Sequence, residues 1–181
     1  MNKIRPAHDP LAALTASDAK ALEEADRLYR VLNNLHYEGK AMVGKNVNEA
    51  REVLLFFRTE LAEHVELEDK VLFPFLETHL PKLETLISLL RSEHEDFRRS
   101  CQDFELALME LVSERRDATQ PGILERIRET GIYLVYLLRN HVHVEQEGIY
   151  KVAERDLRAE EKQELARRMA QGGGVPARGA A

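Results

Sequence analysis

The chain has 181 residues and a formal net charge of −6, length enough for one domain with a sizeable core. Both signs of charge are interspersed, so no basic stripe points to nucleic acid, and no window approaches the ~18 apolar residues of a membrane span. The one cysteine, Cys101, excludes an intramolecular disulfide. Leu, Ala, Glu and Arg dominate and tryptophan is absent, a composition that favours helix. The opening MNKIRPAHDP lacks the apolar stretch of a secretory signal, so the expected compartment is the cytoplasm.

Residues 1–16, with Pro6 and Pro10, are expected to form a loosely docked arm. A first helix is predicted over 17–43, capped by Ser17 and stopped by Gly44, with an apolar stripe of Leu22, Ala25, Tyr29 and Leu32 that leads to His36. A second is predicted from about 48 to 73, where Pro74 ends it; its stripe is Ala50, Leu54, Phe57 and Leu61, then His64, Glu68 and Val71. A third starts near Pro81 and carries Leu83, Ile87, Leu90, His94, Phe97, Cys101, Phe104, Leu108 and Leu111. A fourth starts near Pro121 and carries Leu124, Ile127, Gly131, Leu134, Leu138, His141, Glu145, Gly148 and Val152. A short amphipathic helix, about 156–170, and a Gly/Ala-rich tail, 171–181, follow. Alternating steps of three and four keep one face toward neighbouring helices, and no segment alternates as a strand does. The expected fold is all-α: an up-down-up-down antiparallel four-helix bundle over 17–170 with a short C-terminal helix.

Four of the seven histidines fall on these stripes, one per helix, and two are followed four residues later by glutamate. Residues i and i+4 lie about 40° apart on a helix, so each His–Glu pair points one way. Glu68 and Glu145 interrupt otherwise apolar stripes, and a buried carboxylate is costly without a compensating partner. Equal heights in an antiparallel hairpin are equidistant from its turn. The midpoints of His64/His94 and His94/His141 fall in the breaks ETHLPK and RRDATQPG. The midpoint of His36/His64 is residue 50, off the expected turn by roughly 5 Å of helical rise. HVELEDKVLF (64–73) also aligns without gaps on HVHVEQEGIY (141–150), which suggests a pseudo-twofold site of His36 with His64/Glu68 and His94 with His141/Glu145. Mixed imidazole and carboxylate donors suit non-haem iron, with manganese also compatible. HVHVEQE offers a second register, His143/Glu147, which lies off the stripe. Tyr37 follows His36 at the stripe edge and is a candidate for an open coordination position. His8, His79 and Cys101 read as surface, surface and core. The flanking acids Glu66, Asp69, Glu93, Glu95 and Asp96 read mostly as solvated charge, with one of them available to orient a histidine.

His36, HVELEDKVLFP (64–74), SEHEDF (92–97) and HVHVEQEGIY (141–150) resemble the H…HxxxE…H…HxxxE pattern of the hemerythrin-like (HHE cation-binding) family over 17–153. The resemblance implies two Fe ions in a carboxylate- and oxo/hydroxo-bridged centre held by His36, His64, Glu68, His94, His141 and Glu145. It implies binding or sensing of O2 or, in the alternative, an enzyme acting on peroxide or NO, or a role in iron storage or iron-centre repair. O2-carrying hemerythrins have a fifth histidine one turn from another on the third helix; here those positions are Leu90 and Arg98. The expected ligand is therefore a small molecule (O2, NO or H2O2), and long-lived O2 carriage is not expected.

Overall fold

The computed structural model describes residues 10–37, 43–113 and 121–172, and among them every regular element is helical. The elements are α1 (Ala12–Tyr37), α2 (Val43–Arg58), α3 (Glu60–Leu67), a π-turn (Glu68–Leu72), α4 (Phe73–His79), a 3-10 turn (Pro81–Leu83), α5 (Glu84–Ser113), α6 (Pro121–Val144), a second π-turn (Glu145–Tyr150), α7 (Lys151–Asp156) and α8 (Ala159–Gly172). No described helix is long and apolar enough to cross a membrane.

Several boundaries differ from the sequence expectation. α1 begins at Ala12 rather than at Ser17, so residues 12–16 are helical and Leu11 and Leu14 are buried. Gly44 does not stop a helix; it lies in the first turn of α2. Pro74 does not end the second segment, because it follows the π-turn as the second residue of α4. Proline removes a donor and crowds the carbonyl four residues back in a regular helix, and the wider turn before it relieves both demands. A break at Thr59 separates α2 from α3, with the Thr59 hydroxyl donating back to the Leu55 carbonyl at 2.7 Å.

α1 packs against α6 and α2, and α5 packs against α6 and α2. Ion pairs cross each seam: Lys20–Glu60 and Arg27–Glu52, Arg58–Glu105 and Arg98–Asp69, Arg126–Glu110, and Arg139–Asp26. These pairs are largely exposed and contribute little stability individually. The stability comes from two apolar clusters. One gathers Ala25, Leu28, Leu32, Phe57, Phe104, Ile127 and Leu134 around the lower helices. The other gathers Leu14, Leu72, Phe73, Leu76, Ile87, Ile149 and Leu165. α8 closes the second cluster with Leu165 and Met169 and lies against the first π-turn. A layer of buried charged residues lies between the two clusters.

Candidate metal centre

The fully buried polar residues of the helices are Asp18, Asn46, His64, Glu68, His94, His141 and Glu145. All but Asn46 converge in one layer. His64 and Glu68 sit one turn apart at the end of α3 and the start of the first π-turn; His141 and Glu145 repeat that arrangement at the end of α6 and the start of the second. Both echoed segments thus carry a π-turn that opens on the glutamate. In each, the residues at i, i+4 and i+5 are buried: Glu68, Leu72 and Phe73 in one, Glu145, Ile149 and Tyr150 in the other. Such turns are frequent at functional sites.

His94 Nδ1 donates to Asp69 Oδ1 and His141 Nδ1 donates to Glu93 Oε2, both at 2.9 Å. These bonds fix the tautomers and leave both Nε2 atoms with their lone pairs inward, 3.0 Å from each other. Two such nitrogens cannot face each other at that distance without a proton or a cation between them. His94 Nε2 lies 3.5 Å from Glu68 Oε2, and His141 Nε2 lies 3.2 Å from Glu145 Oε1. His64 Nε2 lies 3.1 Å from Asp18 Oδ1 and 3.3 Å from Glu68 Oε1. Tyr150 donates its hydroxyl to Glu68 Oε1 at 2.7 Å. Phe73, which the internal alignment pairs with Tyr150, has no hydroxyl and instead stacks on the His94 ring, centroids 5.7 Å apart.

The donor atoms of Glu68, His94, His141 and Glu145 all lie within 4.8 Å of one another, as do those of Asp18, His64 and Glu145. Glu145 belongs to both groups. Both oxygens of Asp18 and of Glu145, together with Glu68 Oε2, are buried without a hydrogen-bond partner. A buried, unsatisfied carboxylate oxygen is expensive; five converging on one layer fit a cation-binding site that protein hydrogen bonds do not satisfy.

Electrostatics agree. Burial lowers the pKa of His64, but the Asp18 and Glu68 carboxylates outweigh it and raise it to about 10. Burial acts likewise on His141, where Glu145 and Glu93 prevail and raise it to about 10. Burial and the charge of Glu68 push Glu145 up to about 7. Burial also opposes ionisation of Glu68, but His64 and His94 hold its carboxyl well below the usual range. Burial and the Glu68 charge push the Tyr150 hydroxyl well up, so it stays a donor.

Five of the six expected ligands are therefore brought together: His64, Glu68, His94, His141 and Glu145. His36 is not at the layer. Its backbone is 18 residues along α1 from Asp18, about 27 Å at the helical rise, and its side chain and that of Tyr37 lie outside the described residues. The pairs Lys20–Glu60 and Arg27–Glu52 place the centre of the first hairpin near residue 40, not 50. At that centre the partner of His64 on α1 is Asp18, and Asp18 occupies the place where a fourth histidine was expected. Its signal was present: the true α1 stripe runs Leu14, Asp18, Ala21, Ala25, Leu28, Leu32 and Leu35, with one charge in an apolar row. Two flanking acids, Asp69 and Glu93, orient histidines where one was expected. His143 and Glu147 are exposed, and Glu147 pairs with Lys151. Leu90 is buried and apolar, and Arg98 binds Asp69 and Glu95, so neither replaces a fifth histidine. Cys101 is buried, and burial pushes its thiol up to about 12.

The layer encloses a cavity of about 20 Å³, walled on its apolar side by Leu61, Phe97, Leu137, Leu138 and Val142. The sequence model of the family described as Hemerythrin, hemerythrin HHE cation binding domain, matches residues 9–153. No curated protein matches the chain.

Proposed function

The chain belongs to the hemerythrin HHE cation binding domain family, and we propose that it is a non-haem di-iron protein whose centre reacts with O2 or peroxide. Two iron ions are held by Asp18, His64, Glu68, His94, His141 and Glu145 within an up-down-up-down antiparallel four-helix bundle. The topology is supported by the ion pairs of two seams: between the first and second helical segments, and between the second and third, residue numbers rise on one side as they fall on the other. The observation that carries the metal reading is the set of five buried carboxylate oxygens without a hydrogen-bond partner, in the same layer as the His94 and His141 Nε2 atoms that face each other. A single structural zinc takes four ligands, whereas six donors in two overlapping groups suit a pair. Three imidazoles with three carboxylates suit iron better than a thiolate-loving metal.

When bound, iron supplies the electrons for reduction of O2 or peroxide. The protein's own contributions are positional. Asp69 and Glu93 hold His94 and His141 in the tautomer that offers Nε2 inward. Tyr150 keeps a proton at Glu68 Oε1, and the apolar wall closes one side of the layer. Asp18 in place of a neutral imidazole adds negative charge, which favours the more oxidised state of the ions. That favours a centre consumed by oxidants over one that stores O2.

Anaerobic loading of the metal-free protein with Fe2+ should give two irons per chain by elemental analysis. Mixing with O2 or peroxide in a stopped-flow spectrometer should then oxidise the centre within seconds to minutes. Recovery of intact O2 under vacuum would return the protein to the carrier class, and saturation by one zinc per chain, with iron excluded, would end the di-iron reading.

A further inference from the structure

We propose that the two metal positions are chemically unequal: the His94–His141 position retains its iron, while the Asp18–His64 position is exchangeable and accepts a harder divalent cation of the Mn2+ class. The inference rests on the dinuclear reading above and adds to it which ion sits where.

The donor sets differ first. Glu68, His94, His141 and Glu145 offer two nitrogens and two carboxylates, whereas Asp18, His64 and Glu145 offer one nitrogen against at least two carboxylates. More oxygen in the set shifts preference toward harder ions. The supports behind the ligands differ second. His94 and His141 each give their other ring N–H to a carboxylate, but His64 Nδ1 is buried without a partner. A ligand histidine without that support binds its metal roughly 10–100-fold more weakly.

Access differs third. A pocket of about 420 Å³ opens between α1, α3 and α8 with His64 in its lining and Glu60, Glu63 and Glu66 around it. Glu60 pairs with Lys20 and Glu66 with Lys70, while Glu63 has no ion-pair partner among the described residues. The pocket therefore carries an uncompensated negative charge and leads a cation toward His64, whose Nε2 lies 3.1 Å from the buried Asp18 Oδ1. The cavity on the other side, about 360 Å³, reaches His94, but its charges are paired, Arg58 with Glu105 and Arg98 with Asp69 and Glu95, so it offers a cation no comparable uncompensated negative charge.

The test loads metal-free protein anaerobically with one Fe2+ and one Mn2+ per chain. It is then exposed to a chelating resin, and both metals are counted over time by mass spectrometry. Manganese should leave at least about tenfold faster than iron, and the product should retain one iron. Asp18→His should slow loss from the second position and let iron displace manganese there. Glu63→Gln, which leaves all ligands in place, should slow manganese exchange several-fold without changing the amount bound. A single common rate for both ions, or an exchange rate unaltered by Glu63→Gln, overturns the proposal. A protein that binds neither ion would instead refute the dinuclear reading itself.

Discussion

Glu145 carries the conflict between fold and site in one side chain. It is fully buried, neither oxygen has a hydrogen-bond partner, and its neighbour Glu68 is negative. In the metal-free protein its charge is a burden; with a cation bound, that charge is the reason for the residue. Glu145→Gln is expected to raise the melting temperature of the metal-free protein at neutral pH and to lower metal content, and the two effects are read by calorimetry and elemental analysis on one preparation. A variant that destabilises the metal-free form would show that the carboxylate is satisfied without metal. Asp18 teaches the complementary lesson about legibility. The rule that singled out Glu68 and Glu145, a charge inside an apolar stripe, applies equally to Asp18. A helix that starts at Ser17 puts Asp18 in its exposed first turn, where an acid needs no further explanation, and His36 offers a histidine on a neighbouring stripe.

At the scale of the element, helix contacts give opposite signs to one substitution. A Cβ on Gly131 of α6 would stand 2.7 and 2.9 Å from the two δ-carbons of Leu32 and 3.0 Å from Phe104. Both neighbours are buried in the core and have little room to yield. Gly131→Ala should therefore cost about 1–3 kcal/mol by overpacking. A Cβ on Gly122, in the exposed first turn of the same helix, would meet nothing within 4 Å, so Gly122→Ala should gain up to about 1 kcal/mol from helix propensity. Chemical denaturation of the two variants checks both signs. The long helices, the break at residue 80, and the convergence of His64, His94 and His141 were legible because three-and-four spacing encodes a face directly; the break expected in RRDATQPG lies outside the described residues. The π-turns were not legible: the extra residue shifts the buried face, so Leu72 and Phe73 are buried where three-and-four spacing predicts Val71, and Ile149, Tyr150 and Ala153 where it predicts Gly148 and Val152. Pro74 is the one local hint, and it predicts a stop because the interior of a regular helix disfavours proline.

For the whole molecule, the balance between metal-free and loaded states is set by pH. His64 and His141 have folded pKa values of about 10 against an ordinary 6.5. The stability they lend the metal-free fold is full below that ordinary value and is lost as pH rises toward 10. Glu145, raised from 4.5 to about 7, acts in the same sense, favouring the fold below 4.5 and ceasing to do so as pH passes 7. Glu68 runs the other way: its contribution is present above 4.5 and is lost only as pH falls through its depressed value. Metal binding needs the histidines deprotonated, so its contribution grows with pH. The gap in melting temperature between loaded and metal-free protein should widen from about pH 6 to about pH 9. A constant gap would mean that these groups do not titrate with metal binding.

The polar layer also divides the interior into two apolar clusters that meet through it. Without metal, the seam between them is made of unsatisfied carboxylates and competing charges, a poor conductor of cooperativity. The half built on Phe73, Ile87 and Ile149 and the half built on Leu28, Phe104 and Ile127 should then open as separate units, each with its own free energy of amide exchange. Ions bound by ligands from α1, α3, α5 and α6 tie both halves to the same event. Hydrogen exchange of the loaded protein should merge the two sets of protection factors into one. On this reading, metal binding determines how many independently opening parts the molecule has.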